Sequence, residues 1–565
     1  MKQSDFFSTE TMDLPQAVPP TNVHLNDGDR FVLHIGSVRK ELGEDEVRML
    51  AYNRSIPGPN LIVDQDSTIT VDVINEGDVD ATVHWHGLRL ENRYDGVPEE
   101  TQAPIGIGGT YTCRVHFPDA GFYWYHPHIR EDYAQDMGLS GTIVVRPTDP
   151  SYWPAADREL TITLDDVLIE DGKLAPFRRS GPTFTAMGRF GNVMLTNGET
   201  EFSDKAAAGE VARLNLVNTA NTRIFNFGLR GARMKLVGGD SGRYEREVFV
   251  DEVMLSPSER AIVDVFFEAE GQVLLEHRTP GHVYELGSFI VEGTLQSSAA
   301  AAFHEQRVDP ELTEERRSIA SDFDREPDKT LSFTSEMPLL YGSGAAAAAS
   351  YVCPMHPEVT DTEESSCPKC GMKLIPAETP SATSYVCPMH PEVTDTTESS
   401  CPKCGMKLIP AASDAPSASH DPDHGHGDTA DGLEWEDLMP DINRQTDPSN
   451  MIWKLVDKDT GAVNHEISWD FKLDERVKIR LLNEMEGSDH PMHHPFHVHG
   501  AGRFLILSRD GRREDNLVWK DTVLLRAGET VDILLHLTNP GLWMAHCHIA
   551  EHTESGMMFS FRVEP

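Results

Sequence analysis

The sequence predicts an all-β chain built from several sandwich domains, and three observations carry that expectation. Short runs alternate apolar with polar residues, as in residues 68–74, where Ile69, Val71 and Val73 alternate with Thr68, Thr70 and Asp72. A period of two is that of a strand with one buried face. Turn-forming clusters at residues 55–60 and 539–541 bound such runs. Finally, 565 residues at about 150 per domain suggest roughly three to four domains.

Along the chain, residues 477–481 and 530–537 repeat the alternation. Amphipathic helices are scarce, and residues 309–323, with a proline near the start, form the one candidate. Composition shifts near Ser297 and again over residues 345–431, a stretch rich in Ala, Ser, Pro, Thr and Asp that resembles linker. Inside it lies a tandem repeat. Residues 351–376 read YVCPMHPEVTDTEESSCPKCGMKLIP, and residues 385–410 repeat them with Thr397 in place of Glu363. A histidine-rich tract, HDPDHGHGD at residues 420–428, follows. Strand-like text at residues 330–335 precedes this insert and resumes at Leu433, which places the insert within the last sandwich, near its first hairpin. The expected division is a tail over 1–24, a first domain over 25–148, a second over 149–295, a linker and the start of the third over 296–340, the insert over 341–431 and the rest of the third over 432–565.

Net charge is −43, from 92 acidic and 49 basic residues. Such a surface repels phosphate backbones and excludes nucleic acid as a natural partner; solubility or a saline habitat accounts for it. No apolar run approaches the ~18 residues of a membrane-spanning helix, and the polar residues 1–13 contain no apolar core of a signal peptide. Of eight cysteines, six lie between Cys353 and Cys404 in paired CxxC and CxxH patterns, which read as metal binding and not as a disulfide framework. Cys113 reads as a small core residue. Cys547 stands alone among histidines.

Four segments point to chemistry: HWHG at residues 84–87, YHPH at 125–128, HPFHVHG at 494–500 and HCHIAEHTESGM at 546–557. Residues two apart on a strand share a face, so His84 with His86, His126 with His128, and His497 with His499 can each aim at one metal cluster. Imidazoles alone suit copper, zinc, iron or nickel. Cys547 narrows the choice, because His494, Cys547 and His552 make a trigonal His₂Cys set with Met557 as a weak axial thioether, the ligand set of a blue-copper site. His546 and His548 alternate away from that thiolate towards a second metal site. The HCH tripeptide thereby joins the two sites through covalent bonds.

Together, in this order and at the two ends of the chain, these segments resemble the copper signatures of the multicopper oxidases, a family that includes laccases, ascorbate oxidase and cuprous and ferrous oxidases. The resemblance covers the first and third domains; the second resembles a cupredoxin sandwich without ligands. It implies three cupredoxin-like Greek-key β-sandwiches and four copper ions. His494, Cys547, His552 and Met557 would hold the type 1 copper. His84 and His497 would hold the type 2 copper. His86, His126 and His548 would hold one type 3 copper, and His128, His499 and His546 the other. His490 and His493 fall outside this set, as surface or supporting residues. The implied reaction is one-electron oxidation of a small donor coupled to reduction of dioxygen to water. Family habit favours an extracytoplasmic location.

Each repeat offers a complete Cys₃His set: Cys353, His356, Cys367 and Cys370, then Cys387, His390, Cys401 and Cys404. Tetrahedral Cys₃His suits zinc, and thiolates also suit Cu(I). The repeats resemble the small heavy-metal-binding domain of copper-transporting ATPases, either as a zinc-stapled mini-domain or as a metal relay. Met355, Met372, Met389 and Met406 favour Cu(I). For the whole chain, a laccase-like oxidase acting on phenols comes first. An oxidase of Cu(I), Fe(II) or Mn(II) comes second, and a copper-storage protein that consumes no oxygen is the alternative of a different class. Proton supply is expected from Asp95, which matches the acidic residue after the first histidine pair in related bacterial oxidases. Where many of those carry a glutamate after the last type 1 histidine, this chain has Thr553, with Glu554 one residue further on.

Overall fold

The computed structural model describes residues 5–337, 351–353, 356–361, 375–376, 385–386, 393–395, 409–410, 431–485 and 491–565. The chain divides into two compact units, one formed by Met1–Glu336 with Gly427–Pro565 and the other by Met337–His426.

The first unit consists of three consecutive two-sheet sandwiches. In the first sandwich, Asp45–Tyr52, Arg30–Leu42, Thr68–Glu76 and Thr110–His116 lie side by side in one sheet. Asn22–His24, Asn60–Asp64, Gly141–Arg146, Gly121–His126 and His84–His86 make the other. The strand Thr68–Glu76 buries Ile69, Val71 and Val73 and leaves the residues between them partly exposed, as the alternation predicts. Cys113 joins the same core, and burial pushes its thiol up to about 12. The second sandwich pairs a six-stranded sheet centred on Val211–Asn218 and Arg260–Phe266 with a five-stranded sheet centred on Gly271–Arg278. The third pairs a six-stranded sheet containing Lys329–Glu336, Arg476–Asn483 and Thr530–Leu537 with a sheet ordered Asp470–Lys472, Met558–Glu564, Gly541–Cys547, His494–Val498 and Thr522–Leu525.

The segment between the second and third sandwiches is more regular than its composition suggests. Helices Ala299–His304 and Pro310–Ser318 occupy it, the second capped by the Asp309 carboxylate, which accepts from the backbone N–H groups of Glu311 and Leu312. Strand Lys329–Glu336 pairs antiparallel with Ile452–Asp457, so the second unit is inserted in the chain between two neighbouring strands of one sheet.

Within the second unit, each repeat forms the same small sheet. Tyr351–Cys353 lies between His356–Asp361 and Ile375–Pro376, and Tyr385–Val386 lies between Thr394–Asp395 and Ile409–Pro410. The backbone register sets Cys353 opposite His356. The other proposed ligands, Cys367, Cys370, Cys387, His390, Cys401 and Cys404, lie outside the described residues, as does the histidine tract.

Candidate metal centre

Strand pairing gathers the histidines. His84 faces His126 across one antiparallel ladder, and His497 faces His546 across another. Trp85, between His84 and His86, turns to the opposite face and packs into the first core beside Tyr125, which leaves both imidazoles on the other side. The ring centres of His86, His126 and His548 lie 5.0–5.7 Å apart. Those of His128, His499 and His546 lie 5.1–5.3 Å apart. His84 and His497 sit 5.7 Å apart between the two groups, with His84 also 4.0 Å from His499. All eight are buried.

One nitrogen of most of these rings is fixed by protein and the other is left bare. His84 Nδ1 donates to the Asp95 carbonyl at 2.7 Å, and His497 Nδ1 to the Asp521 carbonyl at 2.9 Å. His86 Nε2 donates to Asp521 Oδ1 at 3.1 Å, and His499 Nδ1 to Asp95 Oδ2 at 2.8 Å. His128 Nδ1 lies 3.0 Å from Glu131, and His126 Nδ1 2.8 Å from the Pro127 carbonyl. The opposite nitrogens, His84 Nε2, His86 Nδ1, His126 Nε2, His128 Nε2 and His497 Nε2, are buried without a hydrogen-bond partner among the described residues, as are both nitrogens of His548. His499 Nε2 and His546 Nε2 face each other at 3.1 Å. Buried polar atoms are almost always satisfied, and a ring held from behind with its other lone pair bare is the arrangement of a metal ligand. Burial also pushes His499 down to about 3 and His548 to about 4, and holds His86, His126, His497 and His546 well below the usual imidazole range. These rings are neutral at neutral pH, with lone pairs available.

Beside this cluster, Cys547 Sγ sits 3.5 Å from His494 Nδ1 and 3.5 Å from His552 Nδ1, all three residues fully buried. Burial raises the thiol well above its ordinary value, so a thiolate here requires a cation beside it. Met557 is buried, its backbone bonded to both Cys547 and His552. The donor set fits copper in both places: soft thiolate with imidazoles in one, imidazoles alone in the other.

Several supporting residues escaped the sequence reading. Trp453 packs its ring 4.1 Å from His552 and 4.9 Å from His494, anchored by its indole N–H on the Thr185 carbonyl at 2.7 Å. Phe333 lies 5.5 Å from His494. Asp521 and Thr522 hold His86 and His497. Glu131 holds His128; its i, i+3 spacing was the one signal available in the sequence.

Of the two histidines left outside the ligand set, His493 is a supporting and not a surface residue: it is fully buried and its Nδ1 accepts from the backbone N–H of Glu434; His490 lies outside the described residues. Ala550–Glu554 is a short helix that carries His552, with Thr553 buried and Glu554 reaching solvent. Thr553 Oγ1 donates to the Cys547 carbonyl and lies 3.2 Å from His546 Nδ1. Asp95 is buried at the end of a one-turn 3₁₀ helix, Asn92–Tyr94. Burial alone would raise its carboxyl, but His499 and His84 outweigh that and hold it well below the usual range.

Comparison with known proteins agrees with this geometry. Residues 37–150 and 439–565 match multicopper oxidase family profiles, and residues 350–377 and 384–411 match the heavy metal binding domain. The chain belongs to the multicopper oxidase family. It is 23% identical over 524 residues to multicopper oxidase mco of Staphylococcus aureus, covering 91% of this chain and 83% of that one. It is 24% identical to Laccase-13 of Arabidopsis thaliana, covering 91% and 89%. A solved metallo-oxidase from Campylobacter jejuni shares the fold, with a TM-score of 0.61 at 20% identity, covering 100% of this chain and 97% of that one. Membership makes this multicopper oxidase a copper oxidoreductase with dioxygen as acceptor. Among the described residues no helix is long and apolar enough to cross a membrane.

Proposed function

We propose that this multicopper oxidase is laccase-like, removing single electrons from phenolic or similar small donors and reducing dioxygen to two waters. His494, Cys547 and His552, with Met557, hold the type 1 copper. His84 and His497 hold the type 2 copper. His86, His126 and His548 hold one type 3 copper, and His128, His499 and His546 the other. Copper in these two sets supplies one-electron chemistry at the thiolate site and four-electron, four-proton chemistry at the histidine cluster.

The observation that carries the reading is the Cys547 peptide. Its thiol lies between His494 and His552, while His546 and His548 on either side join the eight-histidine group. One tripeptide thus spans the donor side and the oxygen side through covalent bonds. Trp453 and Phe333 exclude water from the donor side, and Asp95, Asp521 and Glu131 orient the rings on the oxygen side.

The heavy-metal-binding repeats favour a second reading, oxidation of Cu(I), with Fe(II) or Mn(II) behind it. Oxygen uptake by the copper-loaded protein with phenols, Cu(I), Fe(II) and Mn(II) separates these readings. Copper binding with no oxygen uptake on any donor would make the protein a storage protein and end both.

Two outcomes follow for variants. Met557→Leu keeps its copper and colour but has a higher type 1 reduction potential, because a weak thioether donor that favours the oxidised ion is removed. A redox titration showing an unchanged or lower potential counts against Met557 as axial ligand. Removing residues 344–426 leaves a folded enzyme active on phenols, because those residues belong to a separate compact unit and loop closure costs only about 0.6 kcal/mol per doubling of loop length. The cut stops short of Asp431, whose carboxylate accepts from Leu433 N and Trp435 Nε1. If the repeats relay copper, the shortened enzyme loads poorly or loses its Cu(I) activity. Melting of the remainder in a thermal scan would refute the separability.

A further inference from the structure

The second sandwich holds none of the proposed copper ligands, yet its Arg260 side chain reaches the aspartate that holds two of the cluster's histidines. Arg260 opens the strand Arg260–Phe266 and is fully buried. Its guanidinium grips Asp521 with two parallel bonds, Nη1 to Oδ1 at 2.7 Å and Nη2 to Oδ2 at 2.5 Å. The same Asp521 accepts from His86 Nε2 through its carboxylate and from His497 Nδ1 through its backbone carbonyl. Thr522 Oγ1 donates to Asp521 Oδ1 and completes the clasp.

The remaining donors of Arg260 are also used: Nε on the Phe122 carbonyl at 3.3 Å, Nη1 on the Ser258 carbonyl at 3.0 Å, and Nη2 on the Asp240 carbonyl at 3.0 Å. All five N–H groups of the fork therefore have acceptors, drawn from all three sandwiches. The backbone is shaped to allow this approach. Gly87, next to His86, has φ +84°, and a Cβ there would lie 2.6 Å from Asp521 Oδ2 and 2.7 Å from Arg260 Nη2. Behind the pair, Lys520 Nζ lies 3.1 Å from both Asp240 and Glu259, so the junction stays close to charge balance. Arg260 and Lys520 also line a cavity of about 180 Å³.

We infer that Arg260 is a positioning residue for the oxygen-reducing site: through Asp521 it sets the ring orientation of His86 and His497 and closes the cluster to solvent from the second sandwich. The inference rests on the assignment of His86 and His497 as copper ligands. A buried ion pair is a poor source of net stability, whereas a group bonded to a metal ligand's far nitrogen tunes that ligand directly. Lysine keeps the charge but offers only three donors to five acceptors.

The test compares Arg260→Lys with Arg213→Lys in the full chain. Arg213 makes an equivalent buried two-bond pair with Asp264 on the adjoining strand, but touches no histidine of the cluster. In Arg260→Lys, cluster copper should be lost to a chelator about 10–100-fold faster, with an altered type 2 paramagnetic resonance signal and an unchanged type 1 visible band. Arg213→Lys should match the parent in all three. Parent-like release and resonance in Arg260→Lys would overturn the inference. So would equal changes in both variants, or failure of Arg260→Lys alone to fold, either of which would make Arg260 a stability residue. His86→Ala in parallel keeps the two levels apart: if it loses no copper, the ligand assignment itself fails and the inference falls with it.

Discussion

Cys547→Ser removes the intense colour of the copper-loaded protein and stops turnover. The colour arises from charge transfer between thiolate and copper, and a hydroxyl oxygen is too hard a donor to replace it. Serine is close to isosteric, and its hydroxyl would meet His494 Nδ1 and His552 Nδ1, each 3.5 Å from the present sulfur, so the buried group retains polar neighbours and the sandwich stays folded. The eight histidines of the cluster are untouched, because His546 keeps its strand pairing with His497 and His548, just past the strand end, keeps its backbone bond to the Pro495 carbonyl. The expected product is a folded, colourless protein that still holds copper at the histidine cluster and consumes no oxygen with any donor. Visible spectra, copper per chain and oxygen uptake check this on one sample. Retention of both colour and turnover would remove Cys547 from the type 1 site, and with it the covalent link on which the proposed function rests.

The parts of this arrangement legible in the sequence are those with local periods. Alternation at residues 68–74 marked a strand that does bury Ile69, Val71 and Val73, and His84 and His86 lie two apart on one strand with Trp85 turned into the first core between them, whereas His128 and His499 lie just past the ends of their strands. Long-range partners left no such trace. Asp521 meets His86 across 435 positions and Arg260 meets Asp521 across 261; no window of sequence joins them. The short helix Ala550–Glu554 escaped because five residues hold too little of a 3.6-residue period to register. The second sandwich read as a domain without ligands, and it contributes none of the proposed set. Its contributions, Arg260 on Asp521 and the Thr185 carbonyl under Trp453, appear only when three domains are folded together.

Asp95→Asn slows turnover by about 10²–10⁴-fold, the usual scale for a lost acid–base group, while the type 1 colour is retained. Asp95 is suited to an isosteric test. Its carbonyl accepts from His84 Nδ1, its Oδ2 accepts from His499 Nδ1, and its Oδ1 is buried with no hydrogen-bond partner among the described residues. An asparagine can keep its amide oxygen on His499 and leave the backbone contact intact, so ring orientation survives and the ionisable oxygen is lost. The carboxyl is held well below its usual range because His499 and His84 outweigh the effect of burial. The case for Asp95 therefore rests on its place beside His499 and not on its proton affinity, because acid–base transfer is most efficient when the carrier's pKa lies near the operating pH. Glu554 is the competing carrier. Crowding by the surrounding protein, then Asp132 and Glu131, pushes its carboxyl up to about 7, but the residue reaches solvent, which tempers that shift. Thr553, between it and His552 in the chain, carries no ionisable group. Glu554→Gln should therefore cost much less than Asp95→Asn. Steady-state oxygen consumption against pH, at matched copper content, decides between them. Near-normal rates in Asp95→Asn would end its role as proton carrier, and a larger loss in Glu554→Gln would move that role to the end of the helix that carries His552.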